Sequence, residues 1–178
     1  RRLLAACDVD TAVGCRDLAI LTLLVRFGLR RGEVARLRLD DIDWRAGTIS
    51  VHGKGNCYER VPLPPNIGHR VAEYLPHDRP TDAQGRTVFV RHFAPHHALS
   101  TARVSTIVAD AARRAGLGRV HAHRLRHTAA TELLRAGASL PEIGQLLRLH
   151  HTATTEIYAA ADVPAGAGPA SLQCRWNF

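Results

Sequence analysis

Residues 16–27 most constrain the fold, because this segment is apolar on nearly every side of a helix. Its apolar residues are Leu18, Ala19, Ile20, Leu21, Leu23, Leu24, Val25 and Phe27. A helix that is hydrophobic all round must be surrounded by other elements. The segment is too short for a bilayer, which needs about 20 apolar residues. It therefore predicts a central buried helix of a soluble protein, ending near Gly28.

A β-hairpin interrupts a pattern that is otherwise helical. Thr48–His52 alternates, with Ile49 and Val51 on one face, which predicts a half-buried strand. Residues 59–63 predict its partner after a turn at 53–56. Further helices are predicted over residues 32–37, 67–75, from a Ser100 cap to Gly116, 123–136, 140–147 behind a Ser139–Glu142 capping box, and 154–161. The fold class is thus mainly α with a small antiparallel β-sheet.

Composition narrows the class of partner. The chain has 24 basic and 16 acidic residues, so its formal net charge is +8, dispersed along the sequence. This favours a surface that meets a polyanion, nucleic acid first and an anionic membrane surface second. Cys7, Cys15, Cys57 and Cys174 lack metal or disulfide spacing, which predicts reduced thiols in a cytoplasmic protein. Because the chain contains no methionine, we expect it to be part of a longer one.

A set of basic side chains and one phenol suggests chemistry on a phosphate. His123 and Arg126 share a helix face close to a helix N-terminus, where anions are favoured. With Arg30 they suit a phosphate whose charge grows in a transition state. Lys54 is the only lysine, and lysine can give up a proton, although a turn lysine without a role is the alternative. Tyr158 can attack a phosphate and hold it as an ester. No metal is needed if the guanidinium groups stabilise the charge.

Four segments in this order resemble the motif boxes of tyrosine recombinases, the phage-integrase family. They are residues 28–34, 52–56, 123–131 and 154–158, which read GLRRGEV, HGKGN, HRLRHTAAT and TTEIY. The resemblance covers roughly residues 1–163. It implies a mostly helical catalytic domain with a small sheet, the tyrosine recombinase fold of DNA breaking-rejoining enzymes, followed by an atypical tail at 164–178.

The resemblance implies a role for each of five residues. Tyr158 is the nucleophile that forms a 3′-phosphotyrosyl link to DNA. Arg30 and Arg126 clamp the scissile phosphate. Lys54 protonates the leaving 5′-oxygen, and His123 is the acid–base partner. The implied activity is site-specific DNA recombination or integration without a cofactor.

Neighbouring residues and partners follow from the same resemblance. Glu33 resembles the acidic residue that supports the first arginine, while Arg31 and Arg124 adjoin the active arginines and are predicted to contact the DNA backbone. The implied partner is double-stranded DNA, bound by a homotetramer. Neither a membrane nor a small-molecule substrate is expected.

One motif position departs from the family. Tyrosine recombinases carry His or sometimes Trp nine positions before the tyrosine, where this chain has Leu149. Leucine cannot donate a hydrogen bond to phosphate. His150 is the candidate replacement, although adjacent helical positions point about 100° apart. Losing such a donor commonly costs ~10²–10³ in rate, so activity is expected to be impaired.

Three alternatives remain open on the sequence. A catalytically impaired DNA-binding remnant of an integrase would fit Leu149 and the altered tail. A type IB topoisomerase would share the tyrosine and the arginines. A zinc hydrolase would use His121, His123 and His127, although no carboxylate or cysteine lies at ligand spacing.

Overall fold

The computed structural model describes residues 1–53 and 58–147 of this mainly helical protein. Within these ranges the helices are α1 Arg2–Ala5, α2 Ala12–Val25, α3 Arg31–Arg36, α4 Pro65–His77, α5 Thr101–Arg114, α6 Ala122–Arg135 and α7 Leu140–Leu146. The strands are β1 Ile42–Asp43, β2 Thr48–His52 and β3 Tyr58–Pro62. The predicted fold class is confirmed. The predicted helix at 154–161 and the tail at 164–178 lie outside the described residues.

Helix α2 is the centre of the fold, as its apolar sequence predicts. It begins before the predicted start because the side chain of Thr11 accepts a hydrogen bond from the Gly14 N–H at 3.1 Å. Five of its residues are fully buried: Ala19, Ile20, Leu21, Leu23 and Leu24. It packs against α1, α3, α4, α5 and α6. Among the described helices, none combines the length and apolar character that crossing a bilayer would demand.

The sheet is a three-stranded antiparallel meander in the order β1-β2-β3. Ile49 pairs with Val61 across the hairpin, and His52 pairs with Tyr58 at the end where residues 53–57 connect the two strands. The predicted alternation is confirmed, since Ile49 and Val51 are buried in the core. The two-residue strand β1, which pairs with β2 through Ile42, was not predicted because it is too short to show a period.

Side-chain caps fix the starts of α5 and α7. The Ser100 side chain accepts from the Arg103 N–H at 3.1 Å, and Ser139 forms the predicted capping box with Glu142. A small second core joins α6 to α7 and consists of Ala130, Leu133, Ala138, Ile143 and Leu147. Helix α6 also packs on α2, and the hydrogen bond from Arg126 to the Gly28 carbonyl oxygen brings the first half of α6 to the end of α2.

Candidate active site

An open cavity of about 410 Å³ gathers residues from α3, α5 and α6. It is lined by Leu29, Arg30, Arg31, Ser105, His121, Ala122, His123 and Arg126. Residues predicted from two separate motifs, Arg30 from one and His123 and Arg126 from the other, therefore meet at one place. The described part of this wall carries guanidinium and imidazole groups but no carboxylate. Such a wall favours an anion.

Glu33 holds Arg30 in place at the start of α3. The Arg30 backbone N–H donates to Glu33 Oε2 at 2.7 Å, and Arg30 Nη1 donates to Glu33 Oε1 at 2.8 Å. The Glu33 side chain is only 2% exposed, whereas that of Arg30 is 40% exposed. The carboxylate thus orients the arginine from below and leaves its guanidinium open to the cavity.

Arg126 is held by the chain that leaves α2. Its Nη1 donates to the Gly28 carbonyl oxygen at 2.6 Å, and the residue is buried. Gly28 has φ +67°, and a Cβ built there would lie 2.4 Å from Leu147 Cδ2. Only glycine fits this turn without displacing its neighbours. The turn therefore presents the carbonyl that orients Arg126.

His123 contacts a second histidine one helical turn later. The Nε2 atoms of His123 and His127 are 2.8 Å apart, and the rings meet nearly at right angles. His123 is exposed in the cavity wall, whereas His127 is half-buried. Burial lowers the pKa of His127, and the positive charges of His123 and Arg126 lower it further. The helix periodicity predicts a shared face but not this hydrogen bond.

The two residues predicted to contact DNA differ in position. Arg31 lines the cavity, and its Nη1 donates to Ser105 Oγ at 2.9 Å. Arg124 is exposed on α6 and does not belong to the described cavity wall. Both contacts with DNA stay predictions.

The remaining predicted site residues lie outside the described part of the chain. They are Lys54, Leu149, His150 and Tyr158. The hairpin that contains Lys54 is anchored at its described foot, where His52 Nε2 lies 2.9 Å from Asp41 Oδ1. The His52 ring also packs on Tyr58, with ring centroids 4.3 Å apart. The described strand ends on either side of residues 54–57 are therefore held by side-chain contacts.

A second and larger cavity, of about 620 Å³, was not predicted. It is lined by Val13, Arg16, Arg91, His92, Phe93, His97, Ala98, Leu99, Ser100 and Arg103. Arg91 and Arg103 are exposed on it, whereas Arg16 is buried and paired with Asp17 at 2.8 Å. The sequence signal that could have predicted this cavity is weak: Arg91 and Arg103 lie on either side of the helix cap Ser100.

Metal ligation was a further alternative from the sequence. In the part of the chain that the structure describes, no three or more His, Cys, Asp or Glu side chains are grouped to hold a metal ion. His123 and His127 do approach each other. Their Nε2 atoms, which a shared metal ion would need as ligands, are instead hydrogen-bonded to each other at 2.8 Å.

Comparisons with known proteins identify the family of this chain. The model of the phage integrase family matches residues 1–164. The chain is 45% identical over 167 residues to a protein of Sinorhizobium fredii named as the integrase/recombinase y4rA. The aligned region covers 92% of this chain and 40% of that protein. It is 36% identical over 157 residues to the tyrosine recombinase XerC of Oceanobacillus iheyensis, with 85% and 51% covered.

Solved structures show the same fold. The XerA recombinase matches with a TM-score of 0.78 at 30% identity, covering 90% of this chain and 56% of that one. The XerH site-specific recombinase, in a pre-cleavage complex with its difH substrate, matches with a TM-score of 0.76 at 25% identity, covering 89% and 47%. The chain thus spans about half the length of these relatives. It belongs to the phage integrase family of tyrosine recombinases.

Proposed function

We propose that this chain performs site-specific DNA recombination, cleaving and rejoining strands through a 3′-phosphotyrosyl intermediate. The convergence of Arg30, His123 and Arg126 on one cavity without a described carboxylate carries this proposal. Arg30 lies more than 90 positions before His123 and Arg126 in the sequence, so local structure along the chain does not explain their meeting. Preorganised cations of this kind stabilise the charge that develops on a phosphoryl group during displacement.

The proposed reaction assigns one step to each group. The phenol oxygen of Tyr158 attacks the scissile phosphorus, the bond to the 5′-oxygen breaks, and Lys54 donates a proton to that oxygen. Arg30 and Arg126 neutralise the phosphate oxygens, and His123 exchanges the phenol proton. Because the phosphodiester energy is kept in the tyrosyl ester, rejoining needs neither a nucleotide nor a metal.

The geometry around the arginines supports a role in binding charge. Glu33 fixes Arg30, and the Gly28 carbonyl fixes Arg126, so both guanidinium groups are oriented before a phosphate arrives. Preorganised donors cost little reorganisation during the reaction.

DNA as the partner is supported by charge and by relatives. The net charge is +8, and the second cavity adds the exposed Arg91 and Arg103 to the basic surface. The XerH relative is described as bound to its difH substrate. We propose that double-stranded DNA contacts Arg31 and Arg124, that a homotetramer assembles on it, and that residues 1–163 form the catalytic domain with 164–178 as a tail.

A catalytically impaired DNA-binding remnant is the second candidate, and Leu149 is the observation that favours it. Leucine at this position removes a phosphate donor, and His150 would have to replace it. In that case DNA affinity would persist while strand cleavage would be lost.

A suicide-substrate experiment tests the proposal. The full chain is incubated with a pool of duplexes that are nicked beside a randomised segment, so that a short fragment leaves after cleavage. We expect a covalent protein–DNA adduct that resists detergent and that is lost in Tyr158→Phe. Tyr58→Phe is the matched control, because Tyr58 is an exposed tyrosine outside the motif, and this variant should keep the adduct. DNA binding without an adduct would support the remnant, and relaxation of supercoiled plasmid at any sequence would support a topoisomerase.

A further inference from the structure

The contact between His123 and His127 is a directed hydrogen bond. Their Nε2 atoms lie 2.8 Å apart, the ring centroids are 4.5 Å apart, and the planes cross at 83°. The rings are not stacked, and the short distance between the two Nε2 atoms fits an N–H···N hydrogen bond. Two Nε2 atoms at this distance hold one hydrogen between them, so one imidazole donates and the other accepts.

The surroundings decide which ring accepts. His123 is exposed in the cavity wall, whereas His127 is half-buried one turn further along α6. Burial disfavours a charged imidazole, and the pKa of His127 is lowered accordingly, with His123 and Arg126 adding to the effect. His127 is therefore the ring that stays neutral when the pair takes up a proton. A neutral acceptor at Nε2 must carry its own hydrogen on Nδ1.

We propose that His127 is a positioning residue that accepts a hydrogen bond from His123 Nε2–H and so leaves His123 Nδ1 as the nitrogen that exchanges protons. This inference rests on the proposed function, in which His123 is the acid–base group. In cleavage, neutral His123 takes the phenol proton at Nδ1 and becomes an imidazolium. In rejoining, His123 Nδ1 returns that proton to the phenolate. The Nε2–H of His123 stays hydrogen-bonded to His127 in both steps.

Among the described residues, the acceptor at hydrogen-bond distance from His123 Nε2 is His127. The described cavity wall contributes Arg30, Arg31, Arg126 and His121, which are donors or a further imidazole. The elements packed against α6 carry charged groups that have other partners: Arg16 pairs with Asp17 and donates to the Val90 carbonyl, Arg113 pairs with Asp110 on α5, and Glu142 accepts from Ser139 at the start of α7. Exposed Arg103 and Arg114 of α5 add positive charge only.

Nitrogen NMR of the full chain with labelled histidine tests the assignment without DNA. Free imidazoles favour hydrogen on Nε2, so the inference makes an unusual demand of His127: hydrogen on Nδ1 and a lone pair on Nε2. We expect this tautomer in the wild-type chain, a scalar coupling between the two Nε2 nuclei, and loss of both in His123→Phe. His69, which contacts Glu73 on α4, is the matched control, and His69→Gln should leave these signals unchanged.

Two substitutions at position 127 link the hydrogen bond to the reaction. His127→Gln keeps an acceptor oxygen and should cleave the nicked duplexes within a few-fold of the wild-type rate. His127→Phe keeps the ring shape but loses the acceptor, and cleavage should fall ~10²-fold, the typical cost of a misplaced group, with a changed pH profile and unchanged DNA affinity.

The inference is overturned if His127 carries its hydrogen on Nε2, or if His127→Phe cleaves with the wild-type rate and pH profile. Absence of an adduct in the wild-type chain is a different result, because it refutes the proposed function. The tautomer and the coupling would then still decide the hydrogen-bond assignment on their own.

Discussion

Replacing Glu33 with glutamine is the change that most sharply separates support of Arg30 from ordinary helix capping. The Glu33 carboxylate is buried and accepts from both the backbone N–H and the Nη1 of Arg30. The amide of glutamine keeps one acceptor oxygen but turns an NH₂ group towards the other donor. The variant therefore loses the ion pair and gains a donor-to-donor contact, with almost no change in side-chain volume.

The magnitude follows from the number and exposure of these bonds. A hydrogen bond to a charged group contributes about 1.5–3 kcal/mol. Because the Arg30 side chain is 40% exposed and can turn towards water, we take the lower part of this range for the lost bond. With the unfavourable donor contact, we expect a loss of about 2–3 kcal/mol in the free energy of unfolding. For a domain of this size that corresponds to a fall of roughly 4–12 °C in Tm.

Two variants of the same chain are matched controls in urea and thermal unfolding. Glu142→Gln alters an exposed capping box that includes no arginine, so we expect a loss of about 1 kcal/mol or less. Glu132→Gln removes an exposed pair with Arg135, which is worth roughly 0–0.5 kcal/mol. In the suicide-substrate assay, Glu33→Gln should lower cleavage ~10²-fold because Arg30 is misplaced, and the two controls should not.

The reasoning would be refuted by a Glu33→Gln variant that unfolds and cleaves like the Glu142→Gln control. That result would mean that Glu33 only caps α3 and that Arg30 is oriented without it.

The remaining predictions concern a turn and the basic surface. Gly28→Ala should cost ~1–3 kcal/mol more than Gly118→Ala in urea unfolding, since both have φ +67° but only the first adds a Cβ that overlaps α7's C-cap; equal costs would contradict the packing. Replacing Arg91 and Arg103 together with glutamine should reduce the slope of log affinity for duplex DNA against log salt by about 1.8, as measured by fluorescence anisotropy. Arg70→Gln, on α4, is the control, and an unchanged slope in the double variant would exclude the second cavity from DNA contact.

Local patterns predicted the elements well where one physical rule dominates. The apolar run of α2, the alternation around Ile49 and the capping box at Ser139 each depend on neighbours along the chain. The predicted ends differ by a few residues at α2, because the Thr11 cap lies before the apolar run begins. The strand β1 escaped prediction since two residues cannot show a period.

Three members of the candidate site and one of its supports, Glu33, could be predicted from the sequence, but the other supports could not. The motif boxes identify Arg30, His123 and Arg126, yet the Gly28 carbonyl that holds Arg126 lies 98 positions away in the sequence. The hydrogen bond between His123 and His127 also depends on side-chain rotamers, which helical spacing does not determine. Such contacts arise from tertiary packing, so no local pattern records them.

The most direct test of the account is to locate the covalent bond between protein and DNA. The adduct formed with the nicked duplexes is digested with nuclease and protease, and the modified peptide is sequenced by mass spectrometry. The account predicts a nucleotide attached through its 3′-phosphate to Tyr158. A nucleotide on Tyr58 or Tyr74, or a chain that binds duplex DNA tightly and carries no nucleotide at all, would contradict it.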